Sequence, residues 1–224
     1  MAAPTPDLLD FSAIPLFPLP NVVLFPCAVL PLHIFEDRYR DMTAAALRGD
    51  RQIAMALLKP GWEKDYHRHP EIEPIVCVGT ILTHELLPDG KYNFLLQGHT
   101  RARVVEEHGD RSYRLSHLKP LEQKPVSEAK LAEDRHRLIS VFDNGSLLAT
   151  VIGRQFRQLL SSSLSTADIA DLIAFNFLDD IPLKQSLLSD GDVLRRVKRT
   201  ISAFETTRAV PPSVGFHSSK PSLN

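Results

Sequence analysis

Four prolines set into an apolar run constrain this chain more than any other feature. Pro18, Pro20, Pro26 and Pro31 interrupt a segment that supplies Val22, Val23, Leu24, Phe25, Val29, Leu30, Ile34 and Phe35. Those apolar side chains ask for buried, extended backbone. Each proline removes a ladder donor and biases the residue before it toward extended geometry. The segment is therefore expected to make only short or edge strands, with kinks between them.

Beyond it, FEDRYRDMTAAALRGD predicts a short helix. Tyr39, Met42 and Ala46 share one face, Glu36 and Asp37 sit at the positive end, and Gly49 is the stop. Gln52–Leu58 reads as a buried strand, and the polar Lys59–Pro74 as a long surface loop. Val76–Leu121 predicts a β-meander of three or four strands. Leu87–Lys91 supplies a Pro-Asp-Gly turn, and Tyr92, Phe94 and Leu96 alternate with Asn93, Leu95 and Gln97. Gly98 and Glu107–Asp110 mark two further reversals.

The texture changes after Glu122. Gln123–Pro125 is the expected hinge, and the remainder reads as helix. Leu131, Leu138, Val141 and Phe142 form one stripe; Leu147, Leu148, Val151, Ile152, Phe156, Leu159 and Leu160 form another. Ser165–Asp168 resembles a capping box that opens a third helix. Pro182 ends it, KQSLL makes a short helix, and Asp192 to about Thr207 makes the last. Residues 1–13 and 208–224 are expected to be a flexible arm and tail.

Composition narrows the function classes. The 224 residues are 43% hydrophobic and 24% charged, with 26 Lys+Arg against 27 Asp+Glu. A formal charge of -1 makes nucleic acid an unlikely main ligand. No apolar run approaches the roughly 18 residues needed to cross a bilayer, and the N-terminus has no signal-peptide pattern. A cytoplasmic protein without membrane contact is expected. Cys27 and Cys77, both in apolar runs, read as reduced, buried thiols. His33, between Leu32 and Ile34, reads as a core histidine with a backbone partner.

The search for chemistry gives little. No G-x-x-x-x-G-K-[ST] or G-x-G-x-x-G stretch is present, so no nucleotide cradle is expected. Ser116 with Lys119, and Ser127 with Lys130, match the S-x-x-K spacing. Such a catalyst needs a desolvated lysine, whereas Ser116 lies on a strand and Lys130 stays charged beside Glu128. Asp65, His67 and His69 cluster in the polar loop, but Arg68 between the histidines repels a dication. No catalytic residue, metal or cofactor is expected. Arg195, Arg196, Lys198 and Arg199 read as a solvated face complementing the negative end of the last helix. Trp62 and Tyr66, an aromatic pair at i, i+4, either anchor a partner or pin the loop to the fold. They are the candidate peptide-binding residues.

Ile14–Pro26 and Leu30–Tyr39 together closely resemble the signature of the Lon protease N-terminal domain family. The likeness continues in Cys77–Ile81 (CVGTI), Leu95–Arg103 (LLQGHTRAR) and Leu183–Leu188 (LKQSLL). A similar domain occurs in cereblon-like ubiquitin-ligase adaptors. The resemblance implies an α+β fold: a PUA-like β pseudobarrel with a short helix over 14–122, then an α-helical bundle over 123–207. It also implies a stand-alone, non-enzymatic polypeptide-binding module that lacks the ATPase and peptidase parts. Such a module would recruit unfolded or damaged proteins, with a separate protease or ATPase as partner. The alternative is an RNA-binding PUA-like module. Cys27 stands where the family often has glycine, and a thiol fits there if the backbone keeps a negative φ.

Overall fold

The computed structural model describes residues 10–65, 68–109, 111–143 and 150–209. Six strands come with one early helix: β1 (Ile14–Leu19), β2 (Val29–Ile34), α1 (Asp37–Arg48), β3 (Gln52–Leu57), β4 (Ile75–Leu86), β5 (Tyr92–His108) and β6 (Arg114–Pro120). A short 3-10 turn, Trp62–Asp65, lies between β3 and β4. Five helices follow: α2 (Glu128–Asp143), α3 (Val151–Leu160), α4 (Thr166–Phe177), α5 (Ile181–Leu188) and α6 (Val193–Ala209). The class is α+β.

The sheet runs β2-β5-β4-β3-β1-β6, and β6 pairs again with β5. Five strands thus pair in a closed circuit, and β2 is left as an edge beside β5. The pairing is mixed, because β1 runs parallel to β3 and antiparallel to β6. The proline expectation holds in an instructive way. β1 is short but lies inside the sheet, where a proline is normally costly. Pro15 pairs only toward β6, opposite Leu115, and Pro18 only toward β3, opposite Ala56. Leu16 alone is matched on both sides. The strand changes partner between its two prolines, so neither must serve two ladders. Val23, Leu24 and Phe25 are buried as expected, but in irregular chain between Pro20 and Pro26 rather than in a strand.

Two clusters make the core. Ile14, Leu16, Ala54, Ala56, Val76, Val78, Ala102 and Leu118 come from all five strands of the circuit and meet in one cluster. Three alanines and two valines among them leave room for Ile14, Leu16 and Leu118 inside a narrow closed circuit of strands. The larger cluster joins the other strand faces to α1 and to the later helices. β3 belongs to both, with Ile53, Met55 and Leu57 on one side and Ala54 and Ala56 on the other. That is why Gln52–Leu58 is continuously apolar after its first residue. In the helical part Phe142, Phe156, Phe177 and Phe204 stack with centroids 4.8–5.7 Å apart.

The helix signals largely hold, although Pro182, expected to end the third helix, lies in the first turn of α5 after α4 has stopped at Phe177. Tyr39, Met42 and Ala46 are buried on α1, and Ser165 Oγ accepts from the Asp168 amide at the start of α4. Val151, assigned to an apolar stripe, is exposed at the first turn of α3. Leu147 and Leu148 lie outside the described residues. Gly98 does not turn the chain. It sits inside the 17-residue β5, where the Cys27 amide donates to its carbonyl and its own amide donates to Ala28. A Cβ there would run into the Phe25 carbonyl oxygen. The crossing chain, not a reversal, requires glycine. Cys27 in turn has φ +64°, against the expected negative value. Its neighbours hold it in a left-handed conformation that residues other than glycine, asparagine and aspartate rarely adopt.

Candidate functional site

The strand-to-helix seam contains the most buried charge. Arg101, on β5, is buried and donates from Nη2 to Asp171 Oδ1 of α4 at 2.6 Å. Its Nε reaches the Leu188 carbonyl at the end of α5. Arg196 of α6 is equally buried. It donates to Asp171 Oδ1 at 3.2 Å, to the Asp190 carbonyl and to Gln123 Oε1. Gln185 adds a bond to the Ile75 carbonyl of β4. Every charge here is held by protein partners, which describes a weld rather than a reaction centre.

This corrects the reading of the last helix. Arg195, Arg196 and Arg199 lie in its first two turns, at the positive end. Asp190 answers Arg195 and Arg199 at 2.7 and 3.5 Å, while Arg196 is buried against Asp171. Sequence periodicity showed the spread of charge but could not show that acidic partners wait on other segments.

The thiols are inert. Burial, reinforced by Asp168 and Asp171, pushes Cys27 up to about 11, and burial pushes Cys77 to about 12. Both stay protonated near neutral pH. Ser116 is buried and donates to the Ile14 carbonyl. Lys130 is exposed, and Glu128 caps α4 through Thr166 instead of facing the lysine. Neither S-x-x-K pair has the desolvated base that the chemistry needs. Among the described residues no three His, Cys, Asp or Glu side chains converge to hold a metal. His67 lies outside them.

The open surface is different. Between β2 and the facing halves of β5 and β4 lies a groove of about 440 Å³, lined among others by Pro31, His33, Thr83, Glu85, Asn93 and Leu95. Register explains its chemistry. Pro31, Leu95 and Thr83 stand opposite one another in one row; His33, Asn93 and Glu85 form the next row on the same face. The second row is a hydrogen-bonded chain: His33 Nδ1 donates to Asn93 Oδ1 at 2.7 Å, and Asn93 Nδ2 donates to Glu85 Oε2 at 3.4 Å. A bulge between Ile81 and Thr83 turns Leu82 outward. Val29, Leu82 and Leu95 are 39%, 43% and 38% exposed.

His33 is therefore an exposed member of this face, not a core histidine with a backbone partner. Val29, assigned to the buried set, also points outward. The signal was available: in VLPLHI the residues Leu30, Leu32 and Ile34 alternate with Val29, Pro31 and His33, and only the first set packs on the core. Trp62 is half-buried on the 3-10 turn and packs against the smaller cluster, away from the groove-lining residues. Tyr66 lies outside the described residues.

Residues 13–205 match the family model for the ATP-dependent protease La (LON) substrate-binding domain. The chain belongs to the Lon substrate-binding domain family. It is 26% identical over 204 residues to Lon protease of Escherichia coli K12, covering 90% of this chain and 26% of that protein. With the Lon protease of Azorhizobium caulinodans it shares 28% over 202 residues, 88% of this chain and 23% of the other. The chain thus spans about a quarter of the length of the curated Lon relatives. Among solved structures, the N-terminal domain of the Mycobacterium avium complex Lon protease superposes with TM-score 0.67 at 16% identity, over 87% of this chain and 98% of that one. The Lon N-terminal domain protein of Xanthomonas campestris gives 0.61 at 21%, over 85% and 98%. These neighbours share the α+β fold seen here.

Proposed function

We propose that this member of the Lon substrate-binding family is a non-enzymatic module that holds unfolded or damaged polypeptide on the β2–β5–β4 face. One observation carries the placement. The apolar side chains of Val29, Leu82 and Leu95 are exposed on a sheet whose edge strand, β2, has one side unpaired among the described residues. An extended chain can add backbone bonds along such an edge and seat alternate side chains in the groove, with little demand on sequence. In this reading residues 14–122 form a PUA-like pseudobarrel and residues 123–207 a helical bundle, and the module acts in the cytoplasm beside a separate protease or ATPase. No helix among the described residues is long and apolar enough to cross a membrane. The polypeptide reading is favoured over RNA because no lysine or arginine lines this groove, whereas a backbone-tracking RNA surface needs several.

The test is a titration of ¹⁵N-labelled protein with a reduced, alkylated, permanently unfolded polypeptide. Shifts concentrated on Val29–His33, Leu82–Glu85 and Asn93–Leu95 support the placement. No response at millimolar concentration overturns the binding reading. Shifts centred on Trp62 and Tyr66 move the contact to the sequence candidates and overturn the placement alone.

A further inference from the structure

On another side of the molecule, four arginines from four separate segments line one pocket of about 150 Å³. Arg38 comes from the first turn of α1, and Arg68 from the connection between the 3-10 turn and β4. Arg111 comes from the β5–β6 connection, and Arg114 from the start of β6. His69 and Ser112 also line it, over an apolar floor that includes Leu16, Pro18 and Leu58. Among the described residues that line the pocket none is acidic. A chain of net charge -1 has thus brought four of its 26 Lys+Arg side chains to one cup.

The charge count is specific. Arg114 is held bidentate by Glu107, at 2.7 and 2.8 Å, and spends its remaining amine on the Pro70 carbonyl. Arg38 pairs with Glu36 at 2.9 Å. Arg111 donates to the Tyr113 hydroxyl, a neutral partner. Neither Arg111 nor Arg68 has a carboxylate partner among the described residues. Asp41, which does not line the pocket, accepts the Ser112 hydroxyl. Counted over the described residues, the lining groups and their ion-pair partners carry an excess of two positive charges. Two arginines are fixed in place as a frame, and two are left to meet a ligand.

We propose that this pocket is an oxyanion site for a phosphate dianion. Guanidinium groups supplied by four separate segments suit a tetrahedral group better than a planar carboxylate, and the excess of two charges matches a dianion. The volume admits one phosphate with a short substituent. A free phosphate and a phosphoserine side chain present the same chemistry to it. The proposal is independent of polypeptide binding on the sheet face, since the two sites share no lining residue.

The experiment titrates inorganic phosphate into the full chain at constant ionic strength, reading arginine side-chain and backbone shifts, with a phosphoserine tetrapeptide as a second arm. Saturable shifts around Arg38, Arg68, Arg111 and Arg114 are expected. The double variant R68Q/R111Q should weaken them by about tenfold or more. Both side chains are exposed, so its melting temperature without phosphate should be unchanged. Saturation by phosphate alone would assign a free anion; competition by the phosphopeptide would assign a modified chain, and both support the site. Shifts that chloride reproduces, binding untouched in the double variant, or saturable binding of an oligoribonucleotide with no response to phosphate would overturn it.

Discussion

The seam and the sheet face invert the usual distribution of polarity, in opposite senses. Where β5 meets α4 and α6, Arg101, Asp171 and Arg196 are almost wholly removed from water. Across the outer face of β2, β5 and β4, Val29, Leu82 and Leu95 are left in it. Buried charge and exposed apolar rows both cost stability, and both are informative for that reason. At the seam each charged group of the ion cluster has protein partners, so much of the cost is met inside the molecule. On the face, Val29, Leu82 and Leu95 stay exposed among the described residues. The first pattern explains a fixed joint; the second leaves room for a partner.

The seam can be broken outright. Asp171→Ala leaves two buried guanidinium groups facing each other and should cost about 3–5 kcal/mol in denaturant unfolding. The triple replacement R101M/D171L/R196M should recover most of that loss. If it does not, the cluster contributes more than mutual compensation.

Acid sharpens the comparison further. Hydrogen bonding to Arg195 holds Asp190 well below its ordinary 3.8, at about 2, and nearby Arg199 adds to it. A carboxylate with a depressed folded value contributes stability that is present above the unfolded value and lost as pH falls through the folded one. The seam should therefore weaken between about pH 4 and pH 2, and Asp190→Asn should flatten that limb of the urea midpoint against pH.

The face should respond to mutation in binding rather than folding. The double variant V29S/L95S should change stability by less than about 0.5 kcal/mol. Its affinity for unfolded polypeptide should fall by about tenfold or more, since each apolar side chain that a ligand covers is worth about 1.5–3 kcal/mol. A double variant that binds normally would detach the apolar row from function.

Much of the fold was legible because it rests on local rules. Proline spacing, the Tyr39–Met42–Ala46 face, the Leu87–Lys91 turn and the Ser165 cap each act within a few residues. The quoted motifs carried the family assignment. The site was less legible. Leu95 occupies a solvent-side position in an alternating strand, but alternation alone does not show that neighbouring strands place Val29 and Leu82 on the same side. Trp62, singled out for its aromatic ring, packs against a core cluster.

What sequence alone determined, then, is most of which segments extend and which coil into helix, because those choices are settled largely by dihedral limits and periodicity within a turn or two. Only the tertiary structure decided that β1 could lie inside the sheet by changing partners at Leu16, and that Cys27 would be forced to positive φ by the strand crossing at Gly98. It also decided that Arg101 and Arg196 would share one carboxylate. Each of these depends on residues tens of positions apart arriving at the same point, and distance along the chain leaves no mark on local pattern.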